Sequence, residues 1–256
     1  MNKVAWNLFT EARKHFKKEV SKLRRRLPEL QNIQQRLINE RSPSYPVETP
    51  IVYNKALDEV DRDSEIRLIL VGDNPGRREQ AAENQRYLVG PSGKIAEKFF
   101  RDNPVLGIDF RKNVIILNKT PIHTPRTADL RQLCRLGMAD GTAIEEILAA
   151  SQRTMARLLL EFHRAICGGG TAPSVWITGY SEMGKNGIFA AYTEELKAVY
   201  GKTGLEEEVF LYRHFSMNQF TIDLKKQLTG GGLTAGETLI AALDRIGKVY
   251  RKRFLW

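Results

Sequence analysis

Two asparagines, an aspartate and a histidine stand at the ends of apolar runs that lie far apart in the chain. Asp73 and Asn74 belong to Gly72-Asp73-Asn74-Pro75-Gly76, Asn118 closes Val114-Ile115-Ile116-Leu117, and His214 opens His214-Phe215-Ser216-Met217-Asn218 after Val209-Phe210-Leu211-Tyr212. Short apolar runs bounded by turn residues read as buried strands of a parallel sheet, and open α/β sheets take their ligands beyond the carboxyl ends of such strands. The amides and the imidazole would then converge in one crevice. Amides can orient a water or read a base edge, and an imidazole can donate to developing negative charge. That set suits cleaving a base from its sugar better than metal or covalent nucleophile chemistry.

Each motif also has a plainer reading. The pentapeptide at 72–76 is neither a GxGxxG fingerprint nor a P-loop, so phosphate cradling is the weaker functional reading. Pro75-Gly76 is a rigid turn that fixes Asn74, and the same residue types also build an ordinary turn. Asn118 follows four aliphatic residues, where a buried unpaired amide costs about 1–3 kcal/mol. Its side chain offers a donor beside an acceptor, which complements the imide edge of uracil, or it closes a turn with Lys119-Thr120-Pro121. His214 alone reads as a histidine bonded to backbone. Ser216, Asn218 and the interleaved Phe215, Met217 and Phe220 change that reading, because apolar side chains on a DNA-facing loop can wedge into a base stack.

The elements that must position these residues follow from periodicity. Strands are expected over 67–71, 113–117, 175–178 and 209–212, alternating with helices over 91–101, 144–166 and 188–200. A capping box at Thr234-Ala235-Gly236-Glu237 is read as opening a final helix that runs to about Arg251. Strand and helix in alternation imply right-handed βαβ units, hence a three-layer α/β/α sandwich around a four-stranded parallel sheet. Ahead of it, Trp6, Phe9, Phe16, Val20, Leu23, Leu27, Leu30, Ile33 and Leu37 recur at helical spacing, broken near Pro28. Residues 1–41 are therefore read as a basic helical N-terminal extension, 42–50 as a proline-containing linker, and 51–256 as the α/β domain.

The formal charge of the 256-residue chain is +10, and residues 1–41 alone hold eleven Lys/Arg against four Asp/Glu. That balance favours a polyanionic partner through counterion release, although a charge run is as often a solvated helix face. Cys134 and Cys167 are the only cysteines and have no CxxC spacing. A disulfide framework, a zinc site and an iron–sulfur cluster are not expected. No secretory signal and no membrane span is read, so a cytoplasmic monomer is the expectation.

Taken together and in order, the three motifs resemble the uracil-DNA glycosylase superfamily, over about residues 67–220. Gly72-Asp73-Asn74-Pro75-Gly76 is most similar to its Gly-x-Asn-Pro-Gly branches, while Tyr87-Leu88-Val89-Gly90-Pro91-Ser92-Gly93 resembles a segment of its iron–sulfur branch. The resemblance implies a monofunctional glycosylase without cofactor that flips uracil or another deaminated base out of single- or double-stranded DNA. It implies that Asn74 positions the attacking water, with Asp73 able to assist, and that His214 donates to the pyrimidine O2. Asn118 would read the base within a pocket that includes Gly72, Pro75, Tyr87, Leu88 and Ser216. Ser92, Phe215, Met217 and Asn218 would face the DNA. The chain departs from the pattern where the family's stacking Phe falls on Leu88, or on Tyr87 after a one-residue shift. It departs again where Phe215 and Met217 replace two prolines, and it lacks the cluster cysteines. A superfamily member that binds nucleic acid without cleaving it, or a hydrolase of free nucleosides, are the alternative readings.

Overall fold

The computed structural model describes residues 1–168, 172–229 and 238–256. Helix α1 (Lys3–Arg26) starts at Asn2, whose side chain accepts from the Ala5 amide. It ends at Leu27, where Pro28 disfavours a further helical residue. Helix α2 (Leu30–Asn39) follows. Strand β1 (Leu68–Gly72) leads into a one-turn helix α3 (Arg77–Gln80) and then α4 (Pro91–Asp102), which opens with proline at its first position. Then come β2 (Val114–Asn118), α5 (Asp129–Ala139), α6 (Ile144–Cys167), β3 (Ser174–Thr178), α7 (Ala190–Tyr200), β4 (Val209–Tyr212), α8 (Gln219–Thr229) and α9 (Leu239–Phe254).

All four strands are parallel, in the order β2-β1-β3-β4. The expected three-layer α/β/α sandwich is thus the observed architecture. On one face α6 packs against α1 and α7; on the other α9 lies on β4. That second face is aromatic: Trp176 stacks among Phe100, Tyr212 and Phe220, and Phe99 closes edge-on over Phe220. Every residue of β1 is buried, as a central strand covered on both faces requires.

The strand order reverses around β1, since the chain first steps to β2 and then crosses back to β3. A crevice opens at such a switch point, outside the carboxyl ends of β1 and β3. Register sets its walls, with Gly72 beside Asn118 and Val71 beside Ile177.

Residues 1–41 are joined to the body of the fold. Phe9, Phe16, Val20 and Leu23 enter the same hydrophobic core as the sheet, and Arg24 donates to the Ile51 carbonyl. The segment after α2 is held as well: Gln80 Oε1 accepts from the Glu48 and Thr49 amides, and Gln34 Nε2 donates to the Pro50 and His123 carbonyls. Helices α5 and α8 were missed by periodicity. The final helix starts at Leu239, where Thr238 Oγ1 accepts from the Ala241 amide. The sequence-read capping box at 234–237 lies outside the described residues. No helix among the described residues is long and apolar enough to cross a membrane.

Candidate active site at the carboxyl edge of the sheet

The first residue beyond β1, Asp73, meets the first residue beyond β2. Lys119 Nζ donates to Asp73 Oδ1 at 2.6 Å and to the Thr178 carbonyl at the end of β3 at 2.5 Å, and it lies 4.9 Å from the centre of the Phe189 ring. Thr127 Oγ1 donates to the other carboxylate oxygen at 3.0 Å. The Lys119 side chain is fully buried and that of Asp73 is 13% exposed. Burial works to raise the Asp73 carboxyl, but the Lys119 ammonium, His214 and the two hydrogen bonds together hold it below the usual carboxylate range. Gly179, with φ +79°, leaves room for this carboxylate: a Cβ there would stand 2.6 Å from Asp73 Oδ1.

Beside this ion pair, Asn118 is buried, and its Nδ2 has no hydrogen-bond partner. A Cβ on Gly72 would lie 2.6 Å from Asn118 Oδ1, so the glycine makes room for the amide. An unpaired buried donor is costly, and it calls for a partner such as a water, an ion or a ligand.

Asn74 is oriented by the loop after β2. Thr124 Oγ1 donates to the Arg126 carbonyl, so it can only accept from Asn74 Nδ2, at 2.9 Å. The amide is thereby fixed and Oδ1 is the atom left to hold a water. Pro75 is buried, and its carbonyl accepts from His123 Nδ1 at 2.7 Å. Burial pushes His123 down to about 4, so the ring is neutral; with its Nδ1 proton given to the Pro75 carbonyl, its Nε2 accepts from Tyr45 Oη at 3.1 Å. Glu79 ties two loops together. Its carboxylate accepts from the Gly76 amide at 3.1 Å and the Leu88 amide at 2.9 Å, while burial pushes it up to about 7.

The fourth strand delivers His214. The Ser216 amide donates to His214 Nδ1 at 3.0 Å, which makes that nitrogen the acceptor and places the ring proton on Nε2. Burial lowers its proton affinity below the ordinary histidine value; Asp73 opposes this and Lys119 adds to it. The imidazole is therefore a neutral Nε2–H donor near the Asp73–Lys119 pair.

The structure brings Gly72, Asp73, Asn74, Pro75, Asn118, His214 and Ser216 to this edge, and it corrects three sequence assignments. Phe215 does not face DNA. It is 1% exposed and stacks on Phe220 at 4.3 Å, inside the aromatic layer. Tyr87 is buried, and its hydroxyl donates to the Val52 carbonyl, which makes it a wall of the core and not a stacking ring. Leu88 is likewise buried, at φ +51°. Met217 and Asn218 are exposed at the loop tip, both with positive φ, and Ser92 lies in the first turn of α4, which packs against this tip. Sequence reading missed Lys119, Thr127, Thr178 and Glu79. The one sequence signal for Lys119 and Gly179 is their place immediately after two strand ends.

A cavity of about 650 Å³ lies elsewhere, along the outer edge of β2 between Asn54, Glu59, Arg86, Phe110 and Ile116. Among the described residues no group of three His, Cys, Asp or Glu is placed to hold a metal ion, and Cys134 and Cys167 are free thiols. No protein-family model matches the chain, and no curated protein matches it.

Proposed function

We propose that this edge hydrolyses the N-glycosidic bond of a deaminated base, uracil or a purine counterpart, presented extrahelically from DNA. The observation that carries the reading is that buried Asn118 Nδ2, which lacks a hydrogen-bond partner, and His214, whose ring proton lies on Nε2, stand at the carboxyl ends of the two outer strands, β2 and β4, with Asp73 and Lys119 at the same edge of the sheet. Two such donors complement the carbonyl oxygens of a deaminated base. As the C1′–N bond breaks, its electron pair stays on the base, and the His214 proton stabilises the oxygen where that charge accumulates. Asp73, already holding Lys119 and Thr127, offers negative charge to the oxocarbenium-like sugar and no free basicity. Asn74 Oδ1 orients the water that adds to C1′, and the proton this water gives up passes through solvent to the departing base anion. The products are the free base and a sugar with a hydroxyl at C1′.

Exposed Arg77, Arg78 and Arg126 follow the first two strand ends and supply positive charge for a phosphate backbone. Base release from uracil-, hypoxanthine- and xanthine-containing oligonucleotides, single- and double-stranded, tests the proposal. Alkali-labile abasic sites are expected with one or more of them, reduced about 100- to 1,000-fold by His214→Ala and abolished or strongly reduced by Asn74→Ala. Unchanged rates in both variants would place the chemistry elsewhere. The burial of Tyr87 and Leu88 favours a second, binding-only reading, under which no substrate loses its base and Asn118→Ala leaves DNA affinity unchanged.

A further inference from the structure

Lys119 is a lysine with no exposed side-chain surface, at the centre of the strand ends. Its ammonium is fully committed: Asp73 Oδ1 at 2.6 Å, the Thr178 carbonyl at 2.5 Å and the face of Phe189 at 4.9 Å. It joins three of the four strand exits, since Asp73 follows β1, Lys119 follows β2 and Thr178 ends β3. Its backbone is pinned too, because the Lys119 amide donates to the Gly72 and Asp73 carbonyls at 3.0 Å. A lysine satisfied in this way is no nucleophile, but it controls where the neighbouring carboxylate points and what charge the histidine feels.

We propose that Lys119 is a positioning residue of the site, a buried counter-ion that locks the Asp73 carboxylate between itself and Thr127 and so sets the charge this edge presents to the His214 ring. Without the ammonium, Asp73 would be an uncompensated charge beside an imidazole and would draw a second proton onto it. The proton affinity of the ring would then rise, against the burial that lowers it. Asp73 and Lys119 are the two charged groups that act on His214. The charged side chains of the elements packed around its loop are engaged with one another: Glu97 of α4 with Arg111, Lys98 with Asp102, and Asp223 of α8 with Arg213 and Tyr250. Lys94, also on α4, is exposed.

The catalytic consequence rests on the base-excision reading, whereas the electrostatic core of the inference does not. The test is therefore a pH titration of the His214 ring nitrogens by ¹⁵N NMR in the DNA-free protein, for wild type, Lys119→Met, Asp73→Asn and the double variant. An opposite charge within about 4–6 Å of a titrating group moves its midpoint by about 1–3 pH units. Lys119→Met is expected to raise the His214 midpoint by about one unit, and Asp73→Asn to lower it. The double variant, with both charges gone, should fall between the two single variants. It removes the unpaired carboxylate as well, so it reports even where Lys119→Met does not fold. Where the protein releases base, Lys119→Met should lower kcat with KM little changed and shift the pH profile with the histidine. A midpoint that is the same in Asp73→Asn and the double variant, or unmoved in folded Lys119→Met, overturns the proposal. Failure of wild type to release any base would overturn the catalytic reading alone.

Discussion

Replacing Gly72 with alanine puts a methyl group 2.6 Å from Asn118 Oδ1, where ordinary contact begins at 3.4 Å, so one of the two must yield by about 0.8 Å. The backbone cannot supply that movement cheaply, because Gly72 and Asn118 are register partners on adjacent parallel strands and β1 is buried throughout. The amide must rotate, which carries its unpaired Nδ2 off target. Misplacement of a positioning group by about 1 Å costs on the order of 100-fold in rate, and overpacking of this kind costs about 1–3 kcal/mol in stability. Gly72→Ala is therefore expected to fold, to melt several degrees lower, and to lose about 100-fold in kcat/KM for base release. Gly76→Ala is the matched control. Its added methyl meets nothing within 4 Å, so stability should change by less than about 1 kcal/mol and activity little. A Gly72→Ala protein with the expected melting shift and an undiminished rate would refute the reasoning, since Asn118 would then not be reading the substrate.

Other outcomes follow from the same geometry. Glu79 has a folded value of about 7 against 4.5 when free, so its contribution to stability is complete below pH 4.5 and is lost as pH rises through 7. The size is about 3 kcal/mol, and denaturant titrations between pH 5 and 8 should show it in wild type and not in Glu79→Gln. Phe215→Ala should cost about 3–5 kcal/mol through the cavity left beneath Phe220 and Phe99. Met217→Ala, at 80% exposure, should stay within about 0.5 kcal/mol of wild type in chemical unfolding. Its effect should appear in base release from duplex more than from single strands, because only the duplex needs a wedge. The double variant Arg78→Gln/Arg126→Gln should flatten the slope of log affinity against log salt by about 2, measured by fluorescence anisotropy.

The four strands were legible because short aliphatic runs bounded by Gly, Asn and Pro have few other solutions in an alternating chain, and their carboxyl ends named Asp73, Asn74, Asn118 and His214 directly. The strand order was not legible. It decides that β3 lies beside β1, and hence that Thr178 and Gly179 complete the site around Asp73. Lys119 escaped for a related reason. A lysine after a strand reads as solvated, and only the meeting of three strand ends turns it into a buried counter-ion. Phe215 was misplaced because a loop aromatic can face either way, and the shell of Phe99 and Phe220 that draws it inward comes from two different helices. Glu79 was hidden because its partners are backbone amides, which carry no residue signature.

Under the proposed function, water replaces a base at C1′ on this sheet edge. Reaction of the protein with a uracil-containing single strand in ¹⁸O-enriched water, followed by mass spectrometry of both products, tests it most directly. Free uracil without label is expected, with an intact strand whose abasic sugar, reduced at once to block oxygen exchange of its aldehyde, carries one ¹⁸O; both form about 100- to 1,000-fold more slowly with His214→Ala. No free base from uracil or from its deaminated-purine counterparts would contradict it, as would base release accompanied by strand scission and an unlabelled sugar.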